Sequence, residues 1–102
     1  MRKIEQLMNN SIRNRSDFCY SNTMVTHLGR DAYVYLHGNH IATVGDTFVQ
    51  IFDGGWQSNT TKSRLNALCQ EFRPQAGVFQ KNFDWFIRHG NSVFPFYSGS
   101  LI

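Results

Sequence analysis

Apolar residues recur along this chain with two different periods, and the changes of period divide it into segments. Ile4, Leu7, Met8 and Ile12 fall at i, i+3, i+4 and i+8, one stripe of an amphipathic helix whose other side carries Lys3, Gln6, Asn10 and Arg13. Asn9, Asn10 and Asn14 are poor helix-interior residues, so this helix is expected to fray near Asn14–Ser16. From Tyr20 the period shortens. "YSNTMVTHL", "AYVYLH", "HIATV" and "TFVQIF" are rich in β-branched and aromatic residues, with turn residues between them, as successive strands require. A second helical stripe, Leu65, Leu68, Cys69 and Phe72, follows Gly54-Gly55; Thr60 or Thr61 can cap it and Pro74 stops it. Strand patterning returns in "GVFQK", "FDWFIR" and "SVFPFY".

The turns set a register. His-Gly-Asn occurs at His37–Asn39 and again at His89–Asn91, and Gly38-Asn39, Gly45-Asp46 and Gly90-Asn91 read as two-residue hairpin loops. His37 then faces His40, Leu36 faces Ile41 and Val44 faces Thr47. One face of the first sheet reads Val34, Leu36, Ile41, Phe48 and Phe52; the other reads Tyr35, Ala42, Val44, Val49 and Ile51. Both are apolar, and the pattern leaves open which is wet. In the last hairpin Ile87 faces Phe94 and Trp85 faces Phe96, which assigns Phe83, Trp85, Ile87, Phe94 and Phe96 to the core. Pro95 marks an edge strand. The expected architecture is one small α+β domain over residues 1–102: an N-terminal helix, an antiparallel meander of three to four strands, an amphipathic helix and a C-terminal β-hairpin.

Composition changes this picture little and charge changes it more. The 102 residues are 41% hydrophobic and 15% aromatic, enough for a core. No apolar run approaches the ~20 residues of a membrane span, and the basic opening lacks the apolar stretch of a signal peptide. Cys19 and Cys69 therefore read as free thiols of a protein in a reducing cytoplasm. The net charge of +3 is unevenly spread. Residues 1–15 carry Arg2, Lys3, Arg13 and Arg15 against Glu5; residues 16–57 carry Arg30 against Asp17, Asp31, Asp46 and Asp53. Residues 58–81 are basic again through Lys62, Arg64, Arg73 and Lys81 against Glu71. A basic–acidic–basic order suits selective contact with an anionic partner.

Catalytic signals are missing. His37 and His40 would give a metal two ligands where zinc takes three or four. Cys69 lies on an apolar stripe, where cysteine serves as a small hydrophobe. The aspartates sit beside turns for backbone reasons. No catalytic residue, metal site or cofactor is assigned. The richest polar segment is "SNTTKSR": Thr60 and Thr61 beside free helix amides, with Lys62 and Arg64 placed against the helix dipole, which an anion docked there would reconcile. A second patch, Phe86, Arg88 and Tyr97 with Lys81 nearby, interleaves aromatics with cations, as single-stranded nucleic-acid surfaces do.

"HGNHIA", "GGWQSNTTKSRLNAL" and "FQKNFDW" resemble segments of a loose group of short, uncharacterised proteins of tailed bacteriophages, over roughly residues 22–87. The resemblance implies a phage origin and transfers no catalytic residue. Small phage proteins of this kind often bind, including as inhibitors of host polymerases, nucleases or CRISPR complexes. The expected function is thus a non-enzymatic module contacting DNA or RNA phosphates through Thr60, Thr61, Lys62, Arg64, Lys81 and Arg88. The alternative is a protein–protein inhibitor of a host or defence enzyme, an anti-CRISPR for example, acting through acidic mimicry by Asp31, Asp46 and Asp53 or through the aromatic patch. A homodimer is compatible with either, and no membrane partner is expected.

Overall fold

The strand signals of the first half become a meander, and a computed structural model describes it with the rest of residues 1–102. Helix α1 (Lys3–Asn14) precedes β1 (Phe18–Tyr20), β2 (Thr23–Leu28), β3 (Asp31–Leu36), β4 (Asn39–Val44) and β5 (Val49–Ile51). Helix α2 (Asn59–Phe72) then leads to β6 (Ala76–Lys81), β7 (Asp84–His89), β8 (Ser92–Pro95) and β9 (Ser100–Leu101). All pairs are antiparallel, in a six-stranded sheet ordered β1-β2-β3-β4-β5-β9 and a three-stranded sheet ordered β6-β7-β8. The fold is α+β, as the patterning predicts. The meander is longer than expected: a turn at Ser21-Asn22 adds β1, and the last residues return to pair β9 with β5. Pro95 lies on an edge strand, where its missing N–H costs no ladder bond. No helix is long and apolar enough to cross a membrane.

Two turns depart from the expected register. The β3–β4 connection is His37–Gly38, with φ of 52° and 78°, the paired positive angles of a type I′ turn. Leu36 therefore lies opposite Asn39 and Tyr35 opposite His40; a bulge then takes up Ile41, and Val34 pairs with Ala42. The β4–β5 loop spans residues 45–48, so Val44 pairs with Val49. Gly45 lets the Phe48 ring lie against the backbone: a Cβ there would stand 2.2 Å from it, and the ring would have to move. These shifts re-sort the faces. Val34 and Leu36 join Ala42, Val44, Val49 and Ile51 inside, while Tyr33, Tyr35, His40 and Phe52 stand outside.

The inner face packs on Met8 and Ile12 of α1, on Leu65 and Leu68 of α2, and on Val78, Trp85 and Ile87 of the second sheet. Each such side chain contributes about 1.5–3 kcal/mol by leaving water. Two expected core residues are outside. Phe83 is 91% exposed at the apex of the Asn82–Phe83 turn, and Phe94 is 52% exposed on the edge strand, beyond the helices. Alternation places a residue within a strand, and it fails where the strand turns or outruns its covering layer.

Helix α1 is rotated from its apolar stripe: Glu5 and Asn9 are buried and Leu7 is exposed. The rotation follows from their partners. The Asn9 amide donates to the Ala67 carbonyl at 3.1 Å. Glu5 Oε2 accepts from Arg64 Nη1 at 2.7 Å and from Ser63 Oγ at 2.6 Å, and its Oε1 accepts from the Arg2 amide at 3.0 Å. Arg64 Nε donates to Thr23 Oγ1 at 3.0 Å and Nη2 to Asn22 Oδ1 at 3.2 Å. One buried ion pair thus joins α1, α2 and the start of β2. Helix α2 also closes an edge: the Asn66 side chain accepts from the Val78 amide and donates to its carbonyl, both at 2.8 Å. That edge of β6 is unavailable for aggregation.

Burial alone would raise the Glu5 pKa, but the Ser63 hydroxyl, the Arg2 amide and Arg64 outweigh it and hold the carboxyl below its usual value. A depressed folded-state pKa stabilises the fold above the unfolded value of about 4.3, and that stability is lost as pH falls through the folded value. Urea midpoints are therefore expected to drop below about pH 4 in the wild type. Arg64→Met, which strands the carboxylate, is expected to cost about 3–5 kcal/mol. Joining it to Glu5→Met should recover part of that loss, and strictly additive losses would show that the pair is not coupled.

Candidate nucleic-acid interface

The sequence places an anion site at the start of α2, and the structure dismantles it. The N-cap is Ser58, not Thr60 or Thr61; its Oγ accepts from the Thr61 amide at 3.1 Å. Thr61 is buried, with its hydroxyl 3.3 Å from the Trp56 carbonyl. Arg64 is 3% exposed and fully engaged by Glu5, Thr23 and Asn22, so it cannot reach a phosphate. Thr60 and Lys62 remain partly accessible. The residues adjacent in sequence diverge because successive helical positions turn by about a quarter to a third of a revolution, and Arg64 points into the core.

Lys62 instead belongs with the second sheet, its Nζ donating to Gln80 Oε1 at 3.2 Å. On the face of that sheet away from the core, Phe79 lies opposite Phe86 and Lys81 opposite Asp84, with Gly77 opposite Arg88. The two phenyl rings stack with centroids 5.6 Å apart and an interplanar angle of 23°. Gly77 leaves room for the Arg88 guanidinium, which would stand 3.4 Å from a Cβ there and donates to the Gln75 carbonyl at 3.1 Å. Lys81, Phe86 and Arg88 therefore share a surface. Tyr97 does not. It lines an apolar groove with Ile87, Phe94 and Leu101, on the side of the sheet away from Phe86.

Next to this surface stands Phe83, at φ +69° after Asn82 at +52°. Two positive φ values in a two-residue turn favour Asn-Gly, and a phenylalanine in the second place is strained. Sequence reading left Phe79 unassigned and placed Phe83 in the core. The alternation of Gly77, Phe79 and Lys81 could have revealed the first; the Asn-Phe turn has no such signal.

The remaining candidates have other tasks. Asp46 pairs with Arg15 and Arg30 at 3.3 and 3.1 Å, and Asp53 accepts from the Gly55 amide at 2.8 Å, so neither belongs to a free acidic array. His37 sits in the turn while His40 lies on the outer face, its Nε2 2.9 Å from Thr43 Oγ1 and its ring 4.5 Å from that of Phe52. Tyr33 and Tyr35 complete this cluster, at 5.8 and 5.6 Å. That face of the large sheet bears no Lys or Arg at the paired positions of β2 to β5. Burial pushes the Cys69 thiol up to about 12, against a small opposing effect of Arg88, so it holds no thiolate at neutral pH.

Two helices inside a six- and a three-stranded sheet, with an outward face of each sheet uncovered, define a small α+β protein with two open surfaces. The chain belongs to the Kyanoviridae Gp96 family, a phage protein family whose model matches residues 1–102. The match extends beyond residues 22–87, taking in α1 and the C-terminal strands. No curated protein and no solved structure matches the chain.

A thiol titration checks the cysteine environments. At pH 8 a disulfide reagent should label the exposed Cys19 rapidly and the buried Cys69 only after denaturation. Two fast thiols would contradict this burial.

Proposed function

We propose that this protein is a non-enzymatic, single-stranded nucleic-acid binder acting in the host cytoplasm, and that it uses the outward face of the β6-β7-β8 sheet. The observation that carries the reading is the stacked Phe79–Phe86 pair with Lys81 and Arg88 on the same face and Phe83 projecting beside it. Unpaired bases stack on such rings at about 1–3 kcal/mol each, whatever their identity, while cations follow the backbone. A duplex offers no free base faces, so single strands are preferred. With Lys81 and Arg88 as the phosphate contacts on that face, affinity is modest and its log–log salt slope is about −1.4.

A second reading rests on a different observation, the cation-free cluster of Tyr33, Tyr35, His40 and Phe52 on the large sheet. Tyrosine-rich patches without positive charge suit a protein partner better than a phosphate backbone. On this reading the protein inhibits a host or defence enzyme by docking there, and Tyr35→Glu blocks the complex while Phe83→Gly leaves it intact.

Fluorescence anisotropy with single- and double-stranded oligomers at two salt concentrations tests the first reading. Micromolar binding to single strands that weakens with salt supports it; no salt-sensitive binding would falsify it. Phe83→Gly carries a signed double expectation. It should raise stability by about 1 kcal/mol by relieving the positive φ while weakening oligomer binding severalfold. A variant stabilised with binding unchanged removes Phe83 from the interface.

A further inference from the structure

We propose that the apolar groove beside β8 and β9 is a dimer interface, occupied by the same patch of a second copy of this chain. β8 and β9 are terminal strands of the two sheets, and the groove beside them measures about 430 Å³. Its lining includes Ile87, His89, Phe94, Tyr97, Leu101 and Ile102. It is the uncovered end of the core. Phe94 lies opposite the buried Ile87 and so faces the core side of its sheet. Two residues on, Phe96 is half-buried against Trp85, edge-on at 5.4 Å, whereas Phe94 is left exposed. Four of the chain's ten large exposed hydrophobic side chains, Val93, Phe94, Tyr97 and Leu101, crowd into this stretch of nine residues. Clustering of that kind marks an interaction site, where scattered apolar residues would mark nothing.

Charge and shape select the occupant. No Lys, Arg, Asp or Glu lines the groove, on a chain whose net charge is +3. In a two-fold contact each group near the axis meets its own copy, so a charged patch repels itself and a neutral one does not. The patch also carries both halves of a fit, a groove and the Tyr97 ring, 69% exposed on its wall. Tyr97 is held in place: the Ser100 amide and hydroxyl both donate to its carbonyl, at 3.0 and 2.6 Å. A fixed aromatic anchor loses little freedom on docking. Tyr97 of each copy enters the groove of the other.

The backbone limits the assembly to two copies. The Phe96 amide donates to the Trp85 carbonyl at 3.0 Å, so the preceding nitrogen, that of Pro95, faces the free edge of β8 with no hydrogen to give. A ladder extending β8 is thereby blocked, and the contact is made by side chains that close on each other. Its size follows from the same residues. An aromatic side chain buries about 150–250 Å², so Phe94, Tyr97 and Leu101 with the groove walls suit a small interface, about 600 Å² per copy. Such a dimer dissociates on dilution.

Sedimentation velocity over about 5–500 µM protein, at low and high salt and without nucleic acid, tests this. A monomer–dimer equilibrium is expected, undiminished at high salt because no charge pair holds it. Tyr97→Lys should weaken the dimer about tenfold or more by setting like charges against each other, with the thermal midpoint unchanged at this exposed position. Leu101→Lys, also at an exposed position, gives a second variant with the same expectation. Tyr35→Glu, on the outward face of the large sheet, should leave the dimer intact. A monomer throughout the range, a dimer that salt dissolves, a dimer that survives both lysine variants, or one lost with Tyr35→Glu each overturns the proposal.

Discussion

The Glu5–Arg64 pair constrains the rest of this molecule more than any other contact. Two charges withdrawn from water are costly unless every lone pair and proton finds a partner. Here Ser63, the Arg2 amide, Thr23 and Asn22 complete the set around them. The geometry that satisfies this set also fixes how α1 and α2 are rotated and where the meander begins. Leu7 is outside and Asn9 inside for that reason, although hydrophobicity alone would choose the reverse. The pair thus fixes the rotation of both helices, and its ionised form adds stability at neutral pH.

That placement decides which surfaces stay open. Helix α1 packs on the inner face of the large sheet, and α2 lies between that face and β6, whose edge Asn66 closes. The outward faces of the two sheets have no helix left to cover them. Their chemistry differs: one is aromatic without cations, while the other pairs aromatics with Lys81 and Arg88. The proposed division of labour between the two surfaces rests on this difference in residue type.

Much of the fold was legible because its signals are local. The two helices, the Gly90-Asn91 hairpin with Ile87 opposite Phe94, and the edge position of Pro95 all rest on patterns within a dozen residues. The β3–β4 register was not legible, since the turn falls at His37–Gly38 rather than Gly38-Asn39 and a bulge at Ile41 then moves the pairing back by one residue, and neither changes a pattern that a single strand displays. The site was read in part. Lys81, Phe86 and Arg88 share a face as strand parity predicts, whereas Arg64 was assigned to an anion site from its place near the helix N-terminus.

Periodicity and turn chemistry, both properties of neighbouring residues, determined by themselves the α+β class and most element positions. Only the tertiary structure decided the fate of the polar residues. A carboxylate and a guanidinium 59 residues apart become a buried pair only when helix packing brings them within hydrogen-bond reach, and no local pattern records that encounter. A charged side chain in sequence has two destinations, water or a partner, and its partner is chosen by the fold.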